Sequence, residues 1–348
     1  MLGVQCRRTA GNICTILINM KPLTFSALRL LNDGEFHSGT TISQHLGVSR
    51  TSVSNALRGL DEVGLTIHKV QGRGYRIVEP VQWLDRDIIL KHLGEEAHTF
   101  SLKILDTAES TSSLLLQNAA TELNSGNVSI PVVAAELQTS GRGRRGRQWH
   151  SGLGDGLVFS LLWRFQQGPS FLSGLSLAVG VAIMRTLESA GIEGTALKWP
   201  NDVMFNFCKL AGTLIELQGD MFGPTVSVIG VGLNLKLPEK IQSRIDQGAT
   251  DVFSIIGKMP DRNKLLAALL INLAMMLREF EHRGFAPFKE EWADHHICGN
   301  KPVTLYLPDG SSQEGVVDGV ADDGSLRLRT SAGVHSYSSG EIMLCRMT

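Results

Sequence analysis

Cysteine is scarce and unpaired in this chain: five residues (Cys6, Cys14, Cys208, Cys298, Cys345) are scattered over 348 positions with no C-x-x-C pair. That excludes a disulfide framework, and the odd count fits free thiols in a reducing, cytoplasmic setting. The nearest approach to metal-ligand spacing is His295-His296-Ile297-Cys298, a lone cluster, so no metal site is expected. Net charge is also nearly absent, at -1, which rules out a bulk polyanion binder and makes any anion site local. No glycine run leads into Lys-Thr or Lys-Ser, so a P-loop is excluded. No Ser/His/Asp or Cys/His arrangement is visible, which argues against a covalent nucleophile. The apolar runs read as too short to cross a bilayer, so no membrane association is expected.

The most informative stretch present is Gly141-Arg142-Gly143-Arg144-Arg145-Gly146-Arg147-Gln148-Trp149, whose first seven positions hold four arginines and three glycines. Each guanidinium is a planar fork that fits phosphate or carboxylate oxygens two at a time. Each glycine lets backbone turn and come close to a ligand. Strand-like segments flank the run (Val132 to Leu137, Leu157 to Trp163), so it reads as a loop inside a domain that closes over an anion. A basic patch or a non-specific nucleic-acid arm is the plainer alternative.

At 348 residues the chain has room for two or three domains. Residues 1–20 are set aside: Arg7-Arg8 before Ile13 to Ile18 faintly resembles a signal peptide, but no cleavage site follows, and a start assigned too early, with Met20 as the working start, is expected. Residues 21–80 read as a winged helix-turn-helix. Phe25, Leu28 and Leu31 recur at helical spacing, and a second helix fits Thr40 to Leu46. Gly47-Val48-Ser49 turns into a third helix, capped by Ser49 and running to about Leu60, with Val53, Ala56, Leu57 and Leu60 buried. Its other face offers Arg50, Thr51, Ser52, Asn55 and Arg58 to phosphates and base edges. Val63 to Val70 and Gly74 to Val78 form a wing tipped by Arg73. A winged helix used for protein contacts alone is the alternative.

From residue 84 to 298, strand-like and helix-like segments alternate. Leu102 to Leu105 is a strand, and Ser110-Thr111 cap a helix whose free N–H groups can hold a polar head group. Leu172 to Ala190 is a buried helix. Lys198-Trp199-Pro200-Asn201-Asp202 sets a cation and an amide–carboxylate pair around a rigid turn. Lys209 precedes another strand, Thr213 to Leu217. Gly230-Val231-Gly232-Leu233-Asn234 lets backbone approach a ligand that Asn234 can bond. From residue 299 to 348, short alternating strands (Val303 to Leu307, Glu314 to Val320, Ser325 to Arg329, Val334 to Tyr337, Ile342 to Arg346) separated by Asp-Gly and Ala-Gly turns read as an SH3-like barrel. That barrel helps contain ATP, docks the acceptor, or is a stabilising cap. The fold class is therefore α+β and multidomain.

These motifs, with Gly34 to Gly39, Glu109-Ser110-Thr111, Gln138, Lys209-Leu210-Ala211-Gly212 and Gly340-Glu341-Ile342, resemble the bifunctional biotin–protein ligase and biotin-operon repressor family from about Lys21 onward. The resemblance implies a central domain of the class II synthetase-like biotin/lipoate ligase fold. It places biotin at Ser110, Thr111, Ser112, Gln138, Arg142, Gly143, Arg144 and Lys209, and the nucleotide at Arg144, Arg145, Trp149, Lys198, Asn201 and Asn234. One departure stands out: the family's Ser-Thr-Asn is Ser110-Thr111-Ser112 here, which removes an amide.

The implied reaction uses ATP with Mg²⁺ to make biotinoyl-AMP. A lysine of the biotin carboxyl carrier protein of acetyl-CoA carboxylase then takes the biotin. Arg142, Arg144 and Lys209 are the catalytic candidates, with Asp202 as base or orienter of the amine. The adenylate-filled protein is expected to dimerise on the operator of biotin genes through Ser49, Arg50, Thr51, Ser52, Asn55, Arg58 and Arg73. Three alternatives stay open: a ligase without regulatory DNA binding, a metabolite-sensing transcription factor without ligase activity, and a lipoate-attaching relative.

Overall fold

A computed structural model describes residues 20–124, 129–221 and 223–344. Residues 1–19 of the segment set aside above, Cys345 and the end of the last expected strand lie outside the described residues.

The N-terminal unit packs α1 (Pro22–Leu30), α2 (Gly39–His45) and α3 (Arg50–Ala56) against the wing β1 (Ile67–Val70) and β2 (Gly74–Ile77). Local chemistry sets these boundaries. Pro22 opens α1, where its missing N–H costs nothing. The side chains of Ser38 and Ser49 accept from Thr41 N and Ser52 N, each at 3.0 Å, and so cap α2 and α3. Phe25, Leu28, Leu31, Ile42, Val53, Leu57 and Leu60 close the core. The third helix is shorter than expected. It ends at Ala56 because Gly59 turns left-handed (φ 73°) and a 3-10 turn over Leu60–Val63 follows. Ala56 is consequently half-exposed, and the wing strand begins at Ile67, not Val63. Gly74 (φ 105°) is required where the wing crosses the His37 carbonyl, which a Cβ would meet at 2.0 Å.

The central unit is a seven-stranded mixed sheet in the order β3-β4-β5-β9-β8-β7-β6. Its strands are β3 (Phe100–Ala108), β4 (Ile130–Gln138), β5 (Gly156–Phe165), β6 (Ala196–Lys198), β7 (Asp202–Phe205), β8 (Cys208–Gly219) and β9 (Thr225–Asn234). The β3–β4 pair is parallel and every other pair is antiparallel. α4 (Arg86–Leu93) leads into the domain, and α5 (Thr111–Asn124) covers one sheet face through Leu115 and Ala119 against Val133, Leu162 and Val228. Glu239–Gln242 (α7) and Val252–Ile256 (α8) follow the last strand. The other face is packed by α6 (Leu175–Ser189), the long α9 (Arg262–Arg283) and the short α10 (Lys289–Asp294).

Pro169–Ser189 is long and apolar enough, by length and composition alone, to cross a membrane, which corrects the reading that no run is; 67% of its apolar window is buried inside this domain. A helix wedged between a sheet and α9 must be apolar nearly all round.

Five antiparallel strands complete the chain: β10 (Pro302–Tyr306), β11 (Ser312–Val320), β12 (Leu326–Thr330), β13 (Gly333–Tyr337) and β14 (Glu341–Leu344), in the order β13-β12-β11-β10-β14. They match the expected SH3-like unit to within a residue or two at most ends. Buried Trp199 docks this unit, donating its indole N–H to the Gly324 carbonyl at 3.0 Å.

A buried ion pair fastens the linker to the core. Arg262 Nη1 lies 2.8 Å from Glu136 Oε2, both side chains essentially without exposure, and Nη2 donates to Gly156 O at 2.9 Å. The Gln82 carbonyl also accepts from Arg262, and Leu84 N–H donates to Glu136.

Candidate active site

A cleft opens between the first turn of α5, the end of β4, the arginine–glycine loop and the inner strands β8 and β9. The sequence folds this way because β9 is glycine-punctuated where it passes beneath the cleft. A Cβ at Gly232 would sit 2.4 Å from the Trp149 ring, and one at Gly230 would sit 2.4 Å from Ser112 Oγ. The two glycines thus leave room for an aromatic wall and a hydroxyl floor.

Ser110 begins the floor as the helix cap, accepting weakly from Ser113 N at 3.3 Å. Gln138, at the end of β4, accepts from Thr111 N at 2.8 Å and from Thr111 Oγ1 at 3.2 Å. Thr111 Oγ1 is also 2.7 Å from Ser160 Oγ, which in turn is 2.9 Å from Ser112 Oγ. All of these hydroxyls are buried.

The arginine–glycine loop closes on itself and is tied down at three points. Gly143 N donates to Arg147 O at 2.7 Å, and Trp149 N to Gly141 O at 2.9 Å. Gly141 is needed here because a Cβ would meet the Trp149 carbonyl at 2.5 Å. Arg142 pairs with Glu216 of β8, Arg144 Nη1 reaches Asn201 Oδ1 at 3.2 Å, and Arg147 grips Glu341 at 2.6 and 2.7 Å. Burial, then the charge of Arg145, pushes Arg144 below the usual guanidinium range. A desolvated cation of this kind gains most from an incoming anion.

Lys209 stands at the opposite wall, its Nζ 2.7 Å from Asp202 Oδ1 and 5.6 Å from the centre of the Trp149 ring. The approach to Asp202 is off the hydrogen-bonding direction, so the contact is an ion pair and not a directed bond. The Lys209 backbone is stitched to the segment before α8, donating to Gly248 O at 2.8 Å and accepting from Thr250 N at 3.0 Å.

The fold therefore brings Ser110, Thr111, Ser112, Gln138, Arg142, Gly143, Arg144, Trp149, Asn201 and Lys209 to one cleft, with Asp202 paired beside it. Among the described residues the lining omits Arg145, Lys198 and Asn234. Arg145 leans to Glu341 at 3.6 Å. Lys198 lies on the edge strand β6, and its charge is felt by His296 and Cys298. Asn234 is buried and spends its amide on the carbonyls of Thr250 (3.1 Å) and Lys209 (3.4 Å). Sequence reasoning missed Ser160, Glu216 and the tie between Arg147 and Glu341. A lone serine inside the apolar run Gly156–Phe165 was the available signal for the first.

His296 of the His-His-Ile-Cys stretch is buried and stacked on Trp292 with ring centres 4.4 Å apart, and burial pushes it down to about 3, so it is neutral. On the face expected to meet DNA, Arg50, Thr51, Asn55, Arg58 and Arg73 are exposed, while Ser49 and Ser52 are engaged in the α3 cap. Arg73 lies 4.2 Å over the Phe36 ring.

A mixed sheet carrying this cleft, between a helix-turn-helix unit and a small β unit, defines a DNA-binding ligase of the biotin and lipoate class. The match to the Biotin/lipoate A/B protein ligase family covers residues 106–234, to an HTH domain residues 24–76, and to the Biotin protein ligase C terminal domain residues 299–344. The chain belongs to the bifunctional ligase/repressor family. It is 36% identical over 326 residues to the Escherichia coli K12 protein called Bifunctional ligase/repressor BirA, covering 94% of this chain and 98% of that one. The protein of the same name from Bacillus subtilis is 30% identical over 318 residues, with 89% and 94% covered. A solved biotin protein ligase from Aquifex aeolicus in complex with biotin and ATP aligns at TM-score 0.58 and 30% identity, covering 70% of this chain and 98% of that one.

Proposed function

We propose that this protein is an ATP-dependent biotin–protein ligase that also acts as a biotin-responsive repressor. The observation that carries the reading is the single cleft in which loop arginines, a hydroxyl floor and the Lys209–Asp202 pair meet. In the first step a carboxylate oxygen of biotin attacks the α-phosphorus of ATP, and pyrophosphate leaves with the P–O electron pair. Both reactants are anions, so Arg142, Arg144 and Lys209 lower the barrier by offsetting charge where it accumulates. Arg145, Trp149, Lys198, Asn201 and Asn234 serve the nucleotide side, the last from behind Lys209. Mg²⁺ enters with the ATP phosphates. Biotin's head group lies on Ser110, Thr111, Ser112 and Gln138, with Gly143 giving backbone access.

In the second step a lysine amine of the carrier protein attacks the acyl carbon, AMP departs with the C–O pair, and the amine proton passes to Asp202. The loop, pinned by Glu216 and Glu341, keeps water from the mixed anhydride. Residues 21–80 bind the operator as part of an adenylate-filled homodimer, residues 84–298 catalyse, and residues 299–348 brace the loop; residues 1–20 stand outside this scheme. The setting is cytoplasmic and independent of membranes.

Biotin-dependent exchange of labelled pyrophosphate into ATP tests the enzyme: exchange is expected with biotin, and exchange with lipoate instead would move the protein to the lipoate class. A mobility shift on operator DNA tests the repressor, which is expected to tighten when biotin and ATP are both present. An unchanged shift would leave a ligase without this regulation.

A further inference from the structure

The turn that joins β7 to β8 carries a side chain mismatched to its backbone. Phe205 and Cys208 pair across a two-residue loop, and both loop residues lie in the left-handed region, Asn206 at φ 47° and Phe207 at φ 63°. Such a turn asks for Asn-Gly, because a left-handed backbone penalises a Cβ and penalises a bulky ring most. Asn206 obeys that rule and Phe207 breaks it. Burial recovers only part of the cost, since Phe207 is still 51% exposed. Strained backbone of this kind concentrates at active sites and ligand clamps.

The same hairpin carries both groups of the cleft wall where an incoming amine must arrive. Asp202 opens β7, and Lys209 follows Phe207 by two residues. Leu210 is the extra residue of a bulge that breaks the register between Val203 and Met204, a device that fixes where neighbouring side chains point. The turn and the Lys209–Asp202 pair therefore move as one piece. Asn206 lies about 13 Å along β7 from Asp202, well inside the roughly 800 Å² that a protein partner covers. Lys301, at the start of the C-terminal unit, brackets the exposed ring. Its Nζ is 4.9 Å from the ring centre and donates to Ile297 O at 2.9 Å. Among the described residues it meets no carboxylate. The field of Lys198 adds to that of Lys301, for both act on buried His296 and Cys298.

We propose that Phe207 and Lys301 form a docking point for the acceptor protein, receiving an apolar, acid-flanked surface beside the lysine to be modified; this rests on the ligase reading above. An open aromatic face under unpaired positive charge suits such a surface. Adenylate formation does not need the contact, because the cleft lining excludes Phe207. Transfer does need it, because the acceptor amine must be held at one place beside the Lys209–Asp202 pair. A second copy of this chain is the competing occupant.

The test measures pyrophosphate exchange, capture of the activated biotin by hydroxylamine, and KM for the biotin carboxyl carrier protein, in the intact protein and in Phe207→Gly, Phe207→Tyr and Lys301→Glu. Phe207→Gly is expected to raise carrier KM about tenfold, the scale of one aromatic anchor, with exchange and hydroxylamine capture held within about twofold. Lys301→Glu should raise carrier KM about 3- to 10-fold, and Phe207→Tyr, which keeps the ring, should stay within about twofold. The thermal midpoint of Phe207→Gly should hold within about 2 °C, since relief of the turn offsets the lost ring contacts. Phe207→Asn, which tolerates the left-handed backbone, serves if the glycine protein is unstable. An unchanged carrier KM, an equal loss in hydroxylamine capture, or a dimer mass in light scattering that shifts while carrier KM does not would each overturn the docking point. Absence of biotin-dependent exchange in the unmodified protein would instead overturn the ligase reading itself.

Discussion

Arg144 carries the heaviest demand of any single residue, because it is a half-buried cation with an amide oxygen as its hydrogen-bond partner rather than a carboxylate. Arg142 and Arg147 each face a glutamate carboxylate that offsets their charge. Arg144→Ala is expected to cut pyrophosphate exchange about 10²- to 10³-fold, the cost of removing one preorganised donor from developing charge. An exchange rate within tenfold of the intact protein would take Arg144 out of the chemistry. A second residue, Asp155, makes a pH prediction. Its carboxyl is pushed up to about 7, first by burial and further by Glu79 and Asp251, against the pull of Lys236 and Arg262. A raised carboxyl stays protonated in the folded state while the unfolded state ionises from about 3.8. Folded protein therefore holds the extra proton, and stability falls as pH rises from about 4 to 7, then levels. Asp155→Asn should flatten that part of the thermal-midpoint profile; an identical slope in the variant would contradict it.

Elements were legible wherever one residue type had one job. Ser49 before Arg50 reads as a helix start, and it caps α3 by accepting from Ser52 N. Ser49→Ala should cost the helix about 1 kcal/mol and weaken operator binding in mobility shifts while pyrophosphate exchange is unchanged. The other end of α3 was misread because its last turn looks helical up to Leu60. Gly59 breaks it in a left-handed conformation that the apolar spacing does not reveal. The arginine–glycine loop was recognisable as an anion-binding element. Its fastening was not, since Glu216 and Glu341 lie 74 and 194 residues from their partners. These ion pairs are partly exposed, so Glu341→Gln should change stability by less than about 1 kcal/mol. If the pair positions the loop, ATP KM should nevertheless rise several-fold in steady-state kinetics. Lys198 and Asn234 stand outside the cleft lining, Lys198 on the edge strand β6 and Asn234 with its amide on the Thr250 and Lys209 carbonyls, placements set by strand pairing that the local sequence does not reveal.

At the scale of the whole molecule, the joints between units use different physics. The winged helix shares its core with Leu137 and Leu153 of the ligase domain, and acidic Asp61 and Glu62 meet Lys240 and Arg244 of the segment around α7. The linker is instead locked by the fully buried Arg262–Glu136 pair. Truncating one partner leaves the other charge buried alone, so Arg262→Ala should destabilise the protein by about 3–5 kcal/mol in denaturant unfolding. The pair was invisible in sequence: an arginine opening one helix and a glutamate inside an apolar strand, 126 positions apart, share no local pattern.

The most direct test of the central claim is to mix the protein with biotin and α-labelled ATP, without any acceptor, and pass it through gel filtration. The account predicts about one labelled adenylate per chain eluting with the protein, and loss of that label in Arg144→Ala. Label that never travels with the intact protein, or that Arg144→Ala retains equally, would contradict it.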